Sequence, residues 1–250
     1  MKNILEQIDA SRKSFEAVLH TPSYRQIHGD DNHLEGLLRL INVDERASLL
    51  DFGTGDGYVA FEMAKRWPKR SIVGVDVASE SISRNQNKAA ELGIENATFC
   101  VYEGIILPFE NEEFNGVICR YVFHHCPTPQ ITISEMSRVL KPRGIVVLSD
   151  PVPSPPDEGG FIDEFQRLLP DGHKQFYRKQ VLDGMFDHCE FDLVDSFESS
   201  ITYPREMDPK YEVLLDSTPD TMIEVYNIGV GKGTISITLK VMNTLYKKRV

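Results

Sequence analysis

A glycine-rich turn follows an acidic residue in the stretch LLDFGTGDGY. Gly53, Gly55 and Gly57 occupy alternate positions after Asp51. Glycine allows the backbone to take positive φ and to approach a ligand without a Cβ atom in between. A helix that begins at such a turn also directs its free N–H groups toward the ligand. The turn therefore predicts a binding site for a nucleotide phosphate or a sulfonium cofactor, with a purely structural turn as the alternative.

The spacing of the glycines argues against a dinucleotide. Dinucleotide sites use G-x-G-x-x-G, whereas here the pattern is G-x-G-x-G, because Gly57 comes one residue early. Asp51 would add negative charge beside a pyrophosphate, but it suits a ligand with an ammonium or sulfonium group. The phosphate-binding pattern G-x-x-x-x-G-K-[ST] is absent from the sequence. The turn therefore favours a cationic ligand.

Two more acidic residues follow the next two predicted strands. Asp76, in VGVDV, can accept hydrogen bonds from both hydroxyls of a ribose, and a helix N-cap is its alternative role. Glu103, in VYEG, can accept from an exocyclic amine such as that of adenine, or it is an ordinary surface residue. Ligands of open α/β sheets bind beyond the carboxyl ends of the strands. We therefore expect both acids at one site with the glycine turn.

The elements that position these residues alternate between strand and helix from residue 47 onward. Short apolar runs predict buried strands over 47–52, 71–77, 97–101, 116–120 and 144–149. Apolar residues at helical spacing predict helices over about 57–67, 80–92 and 129–140. This alternation is typical of a doubly wound, mostly parallel α/β sheet.

The flanking segments complete the expected architecture as one domain over 1–250. Residues 1–45 contain two amphipathic helices, at 3–20 and 31–41, and residues 46–150 form the ligand-binding core. A proline-rich linker after residue 150 opens a cover over 151–250, with helices near 160–169, 178–188 and 209–217. Extended segments at 190–201 and 234–245 add two strands, so the prediction is a seven-stranded sheet with a helical cover. The N-terminal helical segment is also expected to cover the site.

Composition and charge narrow the class of protein. Of the 250 residues, 41% are apolar and 26% charged, and the net charge of -11 disfavours nucleic acid or an anionic membrane as a partner. No apolar run reaches the roughly 18 residues of a membrane span, and the N-terminus has no signal-peptide pattern. We therefore expect a cytoplasmic protein without membrane insertion. Cys100, Cys119, Cys126 and Cys189 form no CxxC pair, which predicts free thiols and no metal site.

Taken in order, four segments resemble the class I S-adenosylmethionine-dependent methyltransferases: DFGTGDG, VGVDV, YEGIILPFENEEFNGVICRYVFHH and EMSRVLKPRGIVVLSD. The resemblance is greatest to the broad group that includes the ubiquinone and menaquinone biosynthesis methyltransferases, and it covers about residues 24–150. It implies a Rossmann-like fold with a reversed last strand, S-adenosylmethionine as cofactor and S-adenosylhomocysteine as product. The motifs say little about the acceptor. Our hypothesis is methyl transfer to a small molecule, with a non-catalytic sensor or scaffold that binds the cofactor as the alternative.

The resemblance implies roles for the residues that match the family's motifs. Asp51 would help hold the methionine amino end, Asp76 the ribose hydroxyls, and Glu103, in place of the usual Asp, the adenine amine. Backbone or packing contacts to the cofactor would come from Gly53, Thr54, Gly55, Gly57, Val77 and Gly104, while Arg120 and Tyr121 would line the cleft near the methyl group. Two positions depart from the pattern: Ile105 replaces an acidic residue, and Arg143 replaces a glycine.

Methyl transfer needs a general base only when the acceptor is a hydroxyl, a protonated amine or an acidic carbon. His124 and His125, after the fourth predicted strand, are the candidate bases, because histidine changes charge near neutral pH. Their alternative role is to shape the loop. Tyr24 and His28, in SYRQIHGDD, are expected to bind substrate together with Tyr121. The identity of the acceptor atom and the choice between monomer and homodimer stay open.

Overall fold

The structure is a computed structural model that describes residues 2–18 and 31–250. The helices are α1 (Lys2–Val18), α2 (Asp31–Arg39), α3 (Tyr58–Arg66), α4 (Ser79–Leu92), α5 (Pro129–Val139), α6 (Phe161–Arg167), α7 (Lys179–His188), α8 (Pro209–Asp216) and α9 (Asp220–Val225). The strands are β1 (Ser48–Phe52), β2 (Ser71–Asp76), β3 (Ala97–Val101), β4 (Phe114–Arg120), β5 (Leu140–Val152), β6 (Phe191–Glu206), β7 (Gly229–Val230) and β8 (Thr234–Lys248). One turn of 3-10 helix spans Phe123–His125.

The strands form one sheet in the order β3-β2-β1-β4-β5-β8-β6, and β7 pairs with β8 beside this path. Strands β1 to β5 pair in parallel, as predicted. Strand β8 runs antiparallel to β5, β6 and β7, which is the reversed last strand that the resemblance implied. Within the described residues the sheet has eight strands, one more than the seven predicted. Strand β7 was not predicted because its two residues are too few to show an alternating pattern.

Helices cover both faces of the sheet, because side chains alternate between faces along each strand. In β4, Ile118 packs into a cluster with α2, α3 and α4. Its neighbours Val117 and Cys119 pack into a second cluster with α5 and α7. The predicted doubly wound arrangement is confirmed for the strands β1 to β5. Its consequence is that the carboxyl ends of β1, β2 and β4 share one edge, where the loops can build a site.

A third apolar cluster forms the cover, which we define as α6, α8, α9 and the strand ends that pack on them. The hydroxyl of Tyr226 joins this cover to the end of β5, since it donates to Oδ2 of Asp157 at 2.6 Å and accepts from the N–H of Ser154 at 3.0 Å. Strands β6 and β8 extend beyond the predicted 190–201 and 234–245, because they pair with each other along their whole length. Helix α9 was not predicted.

All four cysteines are free thiols, as expected. Over residues 2–18 and 31–250, no helix has both the length and the apolar character needed to cross a membrane. Nor do the described side chains include a group of three or more His, Cys, Asp or Glu placed to hold a metal ion.

Candidate active site

The glycine turn connects β1 to α3 in a conformation that requires glycine. Gly53, Gly55 and Gly57 have φ of 71°, 51° and 80°, in the left-handed region that side chains disfavour. The N–H of Gly53 donates to the carbonyl of Val75 at 2.8 Å, which fixes the turn against β2. A Cβ atom on Gly53 would lie 2.4 Å from Cγ2 of Val122, so the loop after β4 packs directly on the turn.

Asp51 lies beneath this turn and is only 2% exposed. Its Oδ2 accepts hydrogen bonds from the Thr54 hydroxyl at 2.7 Å and from the N–H of Ala60 at 3.1 Å. Burial raises the pKa of Asp51 to about 7, although these two hydrogen bonds oppose the shift. The carboxyl group therefore joins the turn to the first turn of α3, and its role toward the methionine amino end stays a prediction.

Asp76 lies at the end of β2 and meets the same turn. Its Oδ2 accepts from the N–H of Gly55 at 2.9 Å, and its Oδ1 accepts from the N–H of Ala78 at 2.9 Å. Asn85 holds the turn from the other side, because its Nδ2 donates to the carbonyl of Gly55 at 2.9 Å. The backbone N–H of Val77 also contributes a hydrogen bond to this carboxylate. A carboxylate has about four acceptor positions, so a ribose hydroxyl can use the one that remains.

Helix α1 lies across this edge of the sheet, as expected of an N-terminal helical segment that covers the site. Ile8 packs on the loop after β3, where a Cβ atom on Gly104 would lie 2.6 Å from its Cγ2. Ser11 packs on the loop before α7, and its hydroxyl donates to the carbonyl of Gly172 at 3.5 Å. The pattern of an amphipathic helix predicted α1 itself, but no local signal shows which individual residues such a helix contacts.

Glu16, on α1, lies near enough to Asp76 for its charge to act on the Asp76 carboxylate. Burial raises the pKa of Asp76, and the negative charge of Glu16 adds to that shift. The Oε1 atom of Glu16 is buried and has no hydrogen-bond partner among the described residues, although Nη1 of Arg12 lies 3.8 Å from it. Buried carboxylate oxygens are normally satisfied by hydrogen-bond donors. A ribose supplies two hydroxyl donors, so the buried groups fit S-adenosylmethionine.

The positions expected beside adenine are more open. Val77 is half-buried and Glu103 is exposed. The pKa of Arg12, on α1, is raised mainly by the hydrogen bond that Arg12 donates to Asp9. The negative charge of Glu103 contributes a smaller part, so Glu103 lies near Arg12. Gly104 contacts α1 as described above, so the turn, Asp76 and the loop after β3 share one edge of the sheet.

Arg120 and Tyr121 end β4 on the other side of the glycine turn. The guanidinium of Arg120 lies 4.4 Å from the ring centroid of Tyr121 and 5.3 Å from that of Tyr58. Tyr121 has φ of 58°, an uncommon conformation for a bulky residue. Its N–H donates to the carbonyl of Ser149 at 2.8 Å, which connects it to β5. Such backbone strain is typical of functional sites.

His33, on α2, belongs to this site and was not predicted. Its Nδ1 lies 2.8 Å from the Tyr121 hydroxyl. Its Nε2 lies 2.8 Å from Oδ1 of Asn243 and 3.1 Å from the Ser149 hydroxyl. In the sequence, His33 is a lone histidine beside an apolar helical stripe, and its partner Asn243 is 210 residues away. No pattern in the sequence connects two such residues.

His124 and His125 lie in the 3-10 turn after β4. His124 is held by Asp150, which accepts from its backbone N–H at 3.1 Å and lies 2.9 Å from its Nδ1. The carbonyl of His124 accepts from the N–H of Lys174 at 3.0 Å. Burial, together with the neighbouring His124, lowers the pKa of His125 to about 3. These contacts favour a loop-shaping role, and a catalytic role for either histidine stays a prediction.

Tyr24 and His28, the two other predicted substrate-binding residues, lie outside the described residues. Of the predicted cofactor-binding residues, the structure brings together the glycine turn, Asp51 and Asp76. Arg120 lies beside them, close enough for its charge to contribute to the pKa of Asp51 after the larger effects of burial and hydrogen bonding.

The sequence was also compared with protein families and with known proteins. The family model described as a methyltransferase domain matches residues 44–174. Among curated relatives, YcgJ of Bacillus subtilis, named an uncharacterized methyltransferase, is 31% identical over 50% of this chain and 49% of its own length. The demethylmenaquinone methyltransferase of Thermus thermophilus is 31% identical over 49% of this chain and 56% of its own length.

The arsenite methyltransferase of Halobacterium salinarum is 34% identical over 44% of this chain and 28% of its own length. The chain thus spans about half or less of the length of these relatives. The solved structure of the Bacillus subtilis YcgJ protein superimposes with a TM-score of 0.76 and 23% identity, and covers 88% of this chain and 99% of its own, which establishes the fold. Because the family model covers more than half of the residues, the chain belongs to the class I S-adenosylmethionine-dependent methyltransferases, a family of enzymes.

Proposed function

We propose that the protein transfers a methyl group from S-adenosylmethionine to a small molecule. The observation that carries this proposal is the junction of the glycine turn with Asp76, which is buried and lies near Glu16. When bound, the cofactor supplies an activated methyl carbon, whose bond to sulfur breaks as the acceptor atom bonds to it, with the electron pair left on sulfur. The protein must then align the acceptor with this carbon and exclude water.

In this proposal each described residue contacts one part of the cofactor. Asp76 and Glu16 accept hydrogen bonds from the ribose hydroxyls, and Glu103 accepts a hydrogen bond from the adenine amine. The glycine turn approaches the methionine part through its backbone, with Asp51 near the amino end. Arg120 lies toward the reactive methyl group. Packing contacts to adenine come from Val77 and Gly104.

A small-molecule acceptor is supported by the charge of the chain and by its relatives. A net charge of -11 opposes binding to nucleic acid. The relatives' names include demethylmenaquinone and arsenite, which differ so much in chemistry that they do not single out one acceptor. We further propose that the protein acts in the cytoplasm, as a single domain that is a monomer or homodimer.

Calorimetric titration with S-adenosylhomocysteine tests the donor site. We expect binding near micromolar concentrations, and its loss in Asp76→Ala. Incubation with radiolabelled S-adenosylmethionine and a small-molecule metabolite extract then tests methyl transfer. Labelled product is expected. Binding without product would favour the alternative, a sensor or scaffold that binds the cofactor, and no binding at all would overturn both functions.

A further inference from the structure

The hydrogen bonds of Asn243 determine which nitrogen of His33 carries the proton. The Nδ2 atom of Asn243 donates to the Ser199 hydroxyl at 2.9 Å and to the carbonyl of Phe197 at 3.4 Å. A carbonyl can only accept, so the amide nitrogen must face Phe197 and the amide oxygen must face His33. Since that oxygen can only accept, Nε2 of His33 donates to it. The neutral imidazole therefore carries its proton on Nε2.

This tautomer sets the direction of the next hydrogen bond. With Nε2 protonated, Nδ1 of His33 is an acceptor, and the Tyr121 hydroxyl at 2.8 Å must be the donor. A phenol that donates to an imidazole gains electron density on its oxygen and becomes a better acceptor. The chain Asn243–His33–Tyr121 therefore prepares the phenolic oxygen to take up a proton.

Tyr121 lies where an acceptor molecule must approach. It directly follows β4 and directly precedes Val122, which contacts the glycine turn at Gly53. On its other side it packs against the apolar cluster of the cover. The guanidinium of Arg120, 4.4 Å from the ring centroid, favours negative charge on the phenol. The residue is half-buried, between the proposed methyl donor and the cover.

We propose that Tyr121 is the catalytic base of the methyl transfer, with His33 as the group that takes up its proton and Asn243 as a positioning residue. This inference rests on the proposed function. The proton of the acceptor passes to Oη of Tyr121 while the phenolic proton passes to Nδ1 of His33. The electron pair released on the acceptor forms the bond to the methyl carbon. His33 becomes an imidazolium, which returns its proton through Tyr121 after product leaves.

A base of this kind defines the class of acceptor. A tertiary amine, a thioether or an existing thiolate has no proton to remove, so none of these acceptors needs a general base. The relay instead suits an acceptor that attacks through a hydroxyl or an acidic carbon, such as a phenol or an enol. His124 and His125 fit the task less well, since the first is held by Asp150 and the second stays neutral because burial lowers its pKa to about 3.

Nuclear magnetic resonance of the full chain tests the relay without relying on turnover. Histidine labelled with nitrogen-15 reports which ring nitrogen is protonated, and His33→Gln assigns the His33 signals among the seven histidines. With S-adenosylhomocysteine bound at neutral pH, we expect Nε2–H and an unprotonated Nδ1 that shifts in Tyr121→Phe. A proton on Nδ1, or a permanent imidazolium, would overturn the inference.

Kinetics with radiolabelled S-adenosylmethionine and the metabolite extract test the role in catalysis. Tyr121→Phe should lower kcat by about 10²–10⁴-fold, the usual contribution of a general base, with unchanged affinity for S-adenosylhomocysteine. His33→Gln keeps an acceptor for the phenol but cannot take up a proton, so kcat should fall without a matching change in KM. Adding His33→Gln to Tyr121→Phe should cause little further loss.

Tyr246→Phe is the matched control, because it also removes one buried phenolic hydrogen bond, to Asp183 at 2.8 Å, in the cluster of α5 and α7. It should keep kcat near the wild-type value. An unchanged kcat in Tyr121→Phe would overturn the relay and leave the proposed function standing. Failure of the wild type to bind S-adenosylhomocysteine, or to label any product, would overturn the relay together with methyl transfer.

Discussion

The backbone N–H of Gly55 donates to Oδ2 of Asp76 at 2.9 Å. This bond joins the glycine turn after β1 to the end of β2, 21 positions further along the chain. Asp76 therefore shapes the turn, in addition to the role toward the ribose that we propose for it. A change at this residue should affect both the conformation of the turn and the binding of the cofactor.

Asp76→Asn should weaken the binding of S-adenosylhomocysteine by about 10–100-fold, because a hydrogen bond to a charged group contributes about 1.5–3 kcal/mol. The amide nitrogen of Asn would face the N–H of Gly55 or that of Ala78, so one donor loses its acceptor. Calorimetric titration measures the change. Asp208→Asn is the control, because Asp208 also accepts a backbone N–H, from Lys210 at 2.8 Å, but at the start of α8. Equal affinity in the wild type and in Asp76→Asn would contradict the prediction.

Glu16→Ala should reduce the affinity for S-adenosylhomocysteine by about tenfold, as expected for the loss of one hydrogen bond to a carboxylate. The direction of the change is informative. If Glu16 made no contact with the ligand, its removal would only relieve repulsion with Asp76, and the affinity would stay constant or rise. Glu6→Ala, an exposed acid on the same helix, serves as the control in the same titration.

His125→Asn should make the protein less sensitive to acid. Burial lowers the pKa of His125 to about 3 in the folded state, whereas an unfolded chain has a histidine pKa of about 6.5. The unfolded state therefore binds more protons between these values, so stability is lost as the pH falls below about 6.5. Between pH 7 and pH 5 the wild type should lose about 2 kcal/mol more than the variant.

Urea denaturation at the two pH values measures that difference in the free energy of unfolding. His188→Asn is the control, since His188 is an exposed histidine at the end of α7. If His125→Asn and the wild type lost equal stability on acidification, His125 would not be the group responsible.

Arg143→Gly should stabilise the fold by about 0.5–1 kcal/mol. Arg143 has φ of 63°, and a side chain in this left-handed region costs roughly 1–2 kcal/mol, from which the greater freedom of glycine in the unfolded chain must be subtracted. Arg143→Ala keeps the strained backbone and should bring no such gain. Chemical denaturation of the three proteins at neutral pH decides between these outcomes.

The same residue explains one departure from the family's sequence pattern. The resemblance leads us to expect a glycine at 143, and the positive φ gives the physical reason for that glycine. The side chain of Arg143 is exposed, so it meets no steric obstacle. The cost of an arginine at position 143 is therefore limited to the strained backbone at positive φ.

Local patterns predicted the core of the fold because its elements follow simple rules. The run that became β2 is apolar and buried, and β3 was predicted with its observed bounds at Ala97 and Val101. Asp76 was found because it stands at the end of a strand, directly downstream of a recognisable turn. In each case the signal lies within a few residues of the feature that it predicts.

Contacts between distant segments could not be predicted in this way. His33 meets Asn243 only because α2 packs on the face of the sheet where β8 has inserted between β5 and β6. The position of Glu16 near Asp76 likewise depends on where α1 docks. Neither contact leaves a periodic pattern or a motif, so reasoning from the sequence considered only His124 and His125 as candidate bases.

The docking of α1 has a consequence for the order of events in turnover. Ile8 contacts the loop at Gly104 and Ser11 contacts the loop at Gly172. In the site that we propose, a ligand bound to Asp76 would therefore lie under this helix. We expect exchange of spent cofactor for fresh donor to require the departure of α1, and the rate of that departure to limit repeated cycles. Ile8→Ala should then release S-adenosylhomocysteine faster than the wild type in stopped-flow measurements. Equal release rates in the two proteins would show that departure of α1 does not control cofactor exchange.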